Sequence, residues 1–200
     1  APIGYVTLTR DGMIAEINLA AAVLLGVGRK RVIHRRFARF VADRDKDRWY
    51  RLFLTMMRHA DAGKQCFDMQ LKRGDGSRLH VHCDCLRRVG IGASPVLCIA
   101  LADITELKQA EADLQVAATA FESTQEGMFI TDVDRKILKV NQAFTKITGY
   151  SPEEVIGRTP RLLGSGYHDA DFYAALWERV EKNRSWEGEV WDWRKSGEKY

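Results

Sequence analysis

Ala102-Asp103-Ile104-Thr105-Glu106-Leu107-Lys108-Gln109-Ala110-Glu111 lies at the middle of the 200-residue chain, and everything else can be placed from it. Before it, Val96 to Ala102 is a short apolar run of the kind that forms a buried strand. After it, Leu107, Ala110, Leu114, Ala117 and Phe121 fall on a and d positions of a heptad with charge between them. Leu107 to Glu122 is therefore predicted as an amphipathic helix. Asp103 with Glu106 three residues on has capping-box spacing, in which the aspartate accepts from the first free amides and the glutamate reaches back. The heptads last for about two repeats, fewer than the three to four that sustain a coiled coil unaided. An ordinary connecting helix and a helix that pairs with a second copy both fit this pattern.

Moving outward, the two flanks are copies of one pattern. At an offset of 123 residues, Gly4 meets Gly127, Asp11 meets Asp134, Ile14 meets Ile137, Asn18 meets Asn141 and Ala20 meets Ala143. The register holds through Gly26 and Gly149, Val32-Ile33 and Val155-Ile156, Arg35 and Arg158, and Trp49-Tyr50 and Phe172-Tyr173. Glycines, turn residues and hydrophobic pairs would not keep a common register by chance, so the chain holds two copies of one fold.

In the first copy, Gly4 to Leu8 and Met13 to Ile17 are β-prone runs around Arg10-Asp11-Gly12, a hairpin signal. Asn18 is placed to cap a helix from Leu19 to Leu25, and Gly26 stops it. Short helical pieces follow near Arg31 and from Phe37 to Val41. A longer helix from about Asp45 to His59 puts Trp49, Leu52, Phe53 and Met56 on one face. Cys66 to Leu71, Arg78 to Leu86 and Val96 to Ala102 then read as three strands. Two strands, several short helices and three strands predict an α+β domain: a five-stranded antiparallel sheet with helices on one face. The second copy repeats the plan. Gly127 to Asp132 and Ile137 to Val140 form the hairpin, and Asn141 caps Gln142 to Thr148. Ser151-Pro152-Glu153-Glu154 starts a short helix, Asp169 to Lys182 is the long one, and Trp186 to Arg194 is the next strand. The copy reads as truncated by its last two strands, leaving an unpaired edge. The expected organisation is residues 1–103, a connecting helix over 104–123, and 124–200.

Composition narrows the class of protein. With 46% hydrophobic and 29% charged residues the chain has the make-up of a globular protein with ample core material. The net charge of +4 does not point to nucleic acid, since 27 acidic residues are spread throughout. No run of 18 apolar residues occurs, so no membrane span is expected within the chain. No leader is legible, and Ala1 in place of an initiator Met points to a piece of a longer protein that could itself be membrane-anchored. Four cysteines without a disulfide-type framework fit a reducing, cytoplasmic setting.

The run from Ala102 to Glu111 resembles the end of a PAS domain and the start of its signalling helix. Val140-Asn141-Gln142-Ala143-Phe144, Thr148-Gly149-Tyr150 and Glu153-Glu154-Val155-Ile156-Gly157-Arg158 are similar to PAS sequences in the same way, and the resemblance covers essentially the whole chain. It implies tandem sensory domains of a bacterial signalling protein, of the sensor histidine kinase, diguanylate cyclase or phosphodiesterase type, with no catalysis in these residues themselves. Such modules commonly dimerise. The resemblance therefore implies a homodimer through the connecting helix and PAS faces, with Asp103, Thr105, Glu106, Leu107 and Leu114 as signal-relay residues. The reading from a different class is a ligand-free PAS dimerisation or spacer module.

The second copy, through Pro160 to Asp169, Ala175-Leu176-Trp177 and Trp186 to Lys195, resembles redox-sensing PAS domains that bind FAD. This implies a pocket containing Asn141, Trp177, Trp186 and Asp192. Asp192 stands where that group has an asparagine, and a carboxylate donates a hydrogen bond only when protonated. Light-driven adduct formation needs a cysteine where Pro160 stands, and is excluded. Haem would need a histidine on the long helix. His168 precedes that helix and His59 ends its counterpart, so both are expected to face solvent.

Of His80, His82, Cys83 and Cys85, the histidines point to one face of a strand and the cysteines to the other, so one tetrahedral ion cannot collect all four. No metal is expected. Arg29-Lys30-Arg31 with Arg35-Arg36 reads as a solvated face and not a nucleic-acid site. No Ser/His/Asp or Cys/His pairing and no phosphate-binding loop is legible.

Overall fold

The computed structural model describes residues 3–58, 63–89 and 94–200. The chain divides into two compact units, residues 1–112 and 113–200. In the first, strands β1 (Gly4–Leu8) and β2 (Ile14–Ile17) form the hairpin, followed by short helices α1 (Leu19–Leu24) and α2 (Arg29–Val32). Two 3-10 turns, Phe37–Phe40 and Asp43–Asp45, lead into the long helix α3 (Lys46–Arg58). Strands β3 (Gln65–Lys72), β4 (Arg78–Val89) and β5 (Pro95–Asp103) complete an antiparallel sheet of order β2-β1-β5-β4-β3. The last strand in sequence thus pairs with the first, as the α+β reading requires.

Alternation sorts the sheet into two faces. Leu8 pairs with Leu97, Val6 with Ile99, Cys85 with Ile99, Cys83 with Leu101 and Leu71 with Leu79, and all are buried. Helix α3 lays Trp49, Phe53 and Met56 over this face. The rings of Phe37 and Trp49 are 5.1 Å apart, Trp49 and Phe53 5.8 Å, and Trp49 and Phe67 6.4 Å. These rings pack between the sheet and the helices. Gly4 is required by that closeness: a Cβ there would lie 2.9 Å from Ala21 Cα.

Helix α4 (Thr105–Ser123) follows β5 and buries none of its side chains; Leu107, Leu114 and Val116 are all exposed. The capping box expected at its start does not form. Asp103 is still the last residue of β5, paired with Val81, which puts it one position ahead of the cap. Its Oδ1 accepts instead from Thr105 N at 2.9 Å.

The second unit holds β6 (Phe129–Thr131) and β7 (Ile137–Val140) as a two-stranded sheet, with helices α5 (Gln142–Thr148), α6 (Pro152–Val155) and α7 (Ala170–Asn183) and a 3-10 turn, Pro160–Leu163. β7, α6 and that 3-10 turn fall on β2, α2 and Phe37–Phe40 at the 123-residue offset without slippage. Finer contacts repeat as well. Ile14 N donates to Arg35 O at 2.9 Å, and Ile137 N to Arg158 O at 2.8 Å. A left-handed residue follows α2 and α6 alike, His34 at φ 64° in one and Gly157 at φ 80° in the other.

Residues 186–194 do not form the expected strand. They make isolated bridges, Gly164 with Asp192 and Trp193 with Lys199. A strand persists through its ladder; in the first unit the equivalent β3 is zipped along its length to β4, whereas among the described residues of the second unit no such partner runs beside 186–194.

Candidate functional site

Two places concentrate the residues the sequence singled out. The first is the passage from β5 into α4. Ile104 N donates to His80 O at 2.9 Å, and His80 N donates to Thr105 Oγ1 at 2.9 Å. Arg73 Nη2 donates to Asp103 Oδ2 at 3.3 Å, while Asp103 Oδ1 takes the Thr105 amide. Asp103 and Thr105 are thus brought together and tied to β4 and to the turn after β3. Glu106, Leu107 and Leu114 are not part of this knot; they lie exposed along α4. Lys108 reaches back to Asp68 Oδ2 on β3 at 3.8 Å.

The second is an aromatic shelf in the second unit. Asp169 caps α7 by accepting from Phe172 N at 2.8 Å. This fixes the first turn so that Phe172 stacks on His168, with ring centroids 4.0 Å apart, and meets the edge of Trp186 at 6.0 Å. His168 Nε2 accepts from Trp191 N at 3.2 Å. His168 is accordingly packed and partnered, not turned to solvent as expected; His59 lies outside the described residues. Asp192 follows Trp191, and its backbone exchanges two 3.1 Å hydrogen bonds with Tyr200.

Asp192 has an unusual environment for a carboxylate. Its bridge to Gly164 repeats the bridge of Leu71 to Val41 in the first unit, where Leu71 is fully buried. Burial raises its carboxyl above the usual carboxylate range, and nearby His168 offsets this only in part. Tyr173 and Tyr200 are raised as well, by burial first and then by the Asp192 charge.

The pocket residues expected from sequence each have protein partners of their own. Asn141 is buried and its side chain is taken up by backbone: Oδ1 accepts from Phe144 N and Met128 N, and Nδ2 donates to Phe121 O and Glu126 O, at 2.8 to 3.0 Å. Asn18 does the equivalent work in the first unit, accepting from Ala21 N and Tyr5 N. The Trp177 face is covered by Arg135, whose Cζ sits 4.5 Å from the ring centroid. Trp186 is engaged edge-on by Phe172. Where the resemblance implies FAD, the Asn141 amide is held by four backbone groups, with Arg135 beside Trp177 and Phe172 beside Trp186. The gathering of His168, Tyr173 and Tyr200 around Asp192 was not legible in the sequence; the Asp169 cap at the start of α7 was the available signal.

Comparison with known proteins gives consistent results. A sequence model described as PAS domain matches residues 2–106, and one described as PAS fold matches residues 118–200. The nitrogen fixation regulatory protein of Klebsiella oxytoca is 29% identical over 82 residues, covering 41% of this chain and 17% of that protein. A blue-light-activated histidine kinase of Rhizobium johnstonii is 35% identical over 97 residues, covering 46% of this chain and 28% of that protein. The chain thus spans under a third of the length of these curated relatives. The crystal structure of the PAS domain of an HTR-like protein from Haloarcula marismortui is similar at a TM-score of 0.45, with 22% identity, over 52% of this chain and 83% of that one.

Proposed function

The chain belongs to the PAS family, the sensory domains of signalling proteins such as histidine kinases and regulators, and from that premise we propose that it is the sensory input region of a bacterial signal-transduction protein. A change sensed in these domains biases α4, and through it an output domain of the histidine kinase or cyclic-di-GMP type. The observation that carries this reading is the passage at Asp103: β5 enters α4 without a loop, and hydrogen bonds to His80 and Arg73 tie the passage to the rest of the sheet. A shift of β4 against β5 has no slack in which to be lost. The stimulus must bind two arrangements of this junction unequally, since equal affinity shifts nothing.

The test uses the parent protein. Asp103→Ala is expected to abolish the dependence of output on stimulus while costing about 1 kcal/mol of stability, the size of a lost hydrogen bond. A folded variant with an unchanged response overturns the reading.

A ligand-free dimerisation or spacer role is favoured by a separate observation. Aromatic rings pack against one another inside the first unit, and Leu107, Leu114 and Val116 are exposed on α4. In this reading α4 is the surface on which two copies pair, and the cytoplasm is its setting. Among the described residues no helix is long and apolar enough to cross a membrane. Arg29, Lys30, Arg31, Arg35 and Arg36 are exposed and serve as a solvated basic face. The absorbance of the purified chain bears on the cofactor: a flavin spectrum would support FAD in the second unit, and a colourless chain would overturn it.

A further inference from the structure

The faces of β4 are as the sequence predicts: Cys83 and Cys85 are buried, and burial pushes the Cys85 thiol up to about 12. What the sequence could not show is that β3 supplies a different thiol to the histidine face. Cys66 lies opposite Asp84 and Asp68 opposite His82, so these four side chains form a two-by-two block on the outer face of the sheet. One ligand atom each from Cys66, His82 and Asp84 lie within 4.8 Å of one another.

The details suit an ion. His82 Nδ1 is 2.7 Å from Asp68 Oδ1, and an ionised carboxylate only accepts, so the neutral imidazole that ligates a metal would place its proton on Nδ1 and offer Nε2. Nε2 lies 3.5 Å from Asp84 Oδ1. Tetrahedral ligands bound at 2.0–2.3 Å stand about 3.3–3.8 Å apart, so this edge already has the required length. Lys64 Nζ holds the other carboxylate oxygen, Asp84 Oδ2, at 2.9 Å. On the neighbouring strand, His82 pairs with Ala102 and Asp84 with Ala100, and these small side chains leave the block uncovered. The side chains of His82 and Asp84 are 42% and 33% exposed, within reach of a hydrated ion.

We propose that Cys66, His82 and Asp84 bind one divalent transition-metal ion of the zinc class, with Asp68 orienting His82 and a water completing the tetrahedron. On binding, the Cys66 S–H bond breaks, the sulfur bonds the metal and the proton leaves to solvent. Thiolate, imidazole and carboxylate together favour zinc or cobalt over magnesium or calcium. An orienting carboxylate on the far imidazole nitrogen is the usual support for such a ligand. The site goes beyond the sensory reading and does not depend on it. Asp68 also meets Lys108, which places the site one ion pair from α4.

The whole chain, stripped with a chelator and dialysed, is titrated with Co²⁺ and then Zn²⁺. One equivalent of cobalt is expected, with a thiolate-to-cobalt charge-transfer band and tetrahedral d–d bands that zinc removes. C66S abolishes the charge-transfer band, and H82Q and D84N each weaken binding at least tenfold. D68N weakens binding about 10- to 100-fold with the stoichiometry intact. C98S, which alters another outer-face thiol, leaves the titration unchanged. Zinc also slows alkylation of Cys66 in the unaltered chain, a readout independent of any variant's folding. The proposal is overturned by the absence of a charge-transfer band, by its survival in C66S, by unchanged affinity in folded H82Q and D84N, or by alkylation that zinc does not slow.

Discussion

Val6 in β1 and Phe129 in β6 hold the same place in the two copies, yet Val6 is 1% exposed and Phe129 42%. The hairpins that carry them are built alike. Each turns through a left-handed residue, Gly12 or Arg135, and each ends on an asparagine that caps the next helix. What differs is everything that reaches them from far along the chain. β1 is sandwiched between β2 and β5 and lies in a core that α3 helps to close; among the described residues β6 pairs only with β7. Local sequence makes a hairpin, whereas burial is conferred by elements distant in sequence.

The strongest challenge to this comparison is to truncate matching residues of the long helices. Trp49→Ala is expected to cost about 3–5 kcal/mol, the usual loss for a large aromatic side chain in a core. Phe172→Ala, at the equivalent but half-buried place, should cost less than half as much. Denaturant unfolding followed separately in each unit measures both, and equal losses would show that the second unit has a core of its own strength.

A smaller effect should run in the opposite direction. Asn141 is 1% exposed and holds four backbone groups, while Asn18 is more open. Asn141→Ala is expected to cost about 2 kcal/mol and Asn18→Ala about 1 kcal/mol, within the range for lost caps. The reverse order would mean that burial of the cap adds nothing.

The smallest effect concerns acid. Leu71 and Asp192 make equivalent bridges, and the carboxyl of Asp192 is raised by its burial. A raised carboxyl is protonated more readily in the folded chain than in the unfolded one. Its contribution is therefore complete below the ordinary carboxylate range and is lost as pH rises through the raised value. Asp192→Leu should flatten that part of the Tm-against-pH curve for the second unit. An unchanged slope would assign the dependence to other groups.

Most of the fold was legible because its signals are local. Asn18, Asn141, Asp169 and Ser151-Pro152 mark helix starts by capping chemistry, and the 123-residue repeat carried each assignment from one copy to the other. The errors share a physical cause. The strand expected at 186–194 needs a neighbour to exist, and the Asp103 capping box is displaced by pairing with Val81 on another strand. His168 looked exposed because the aromatic residues that cover it, Phe172 and Tyr173, join it only when α7 forms. The four backbone partners of the Asn141 amide were hidden in the same way, since the fold brings them together from separate segments. The Cys66, His82 and Asp84 block was hidden for the same reason: its register belongs to a pairing, and neither strand shows it alone.

Helix α4 has one further consequence. Its 19 residues from Thr105 to Ser123 contain no glycine or proline, so no residue in it favours a swivel, and on the proposed relay it would act as a torsion shaft. Each residue inserted into it turns everything beyond by about 100° and advances it by about 1.5 Å. Its angular phase, more than its length, is then the quantity that a relay through it must conserve. Lengthening the shaft one residue at a time should make output rise and fall with the helical period, where a flexible tether would give a smooth decline.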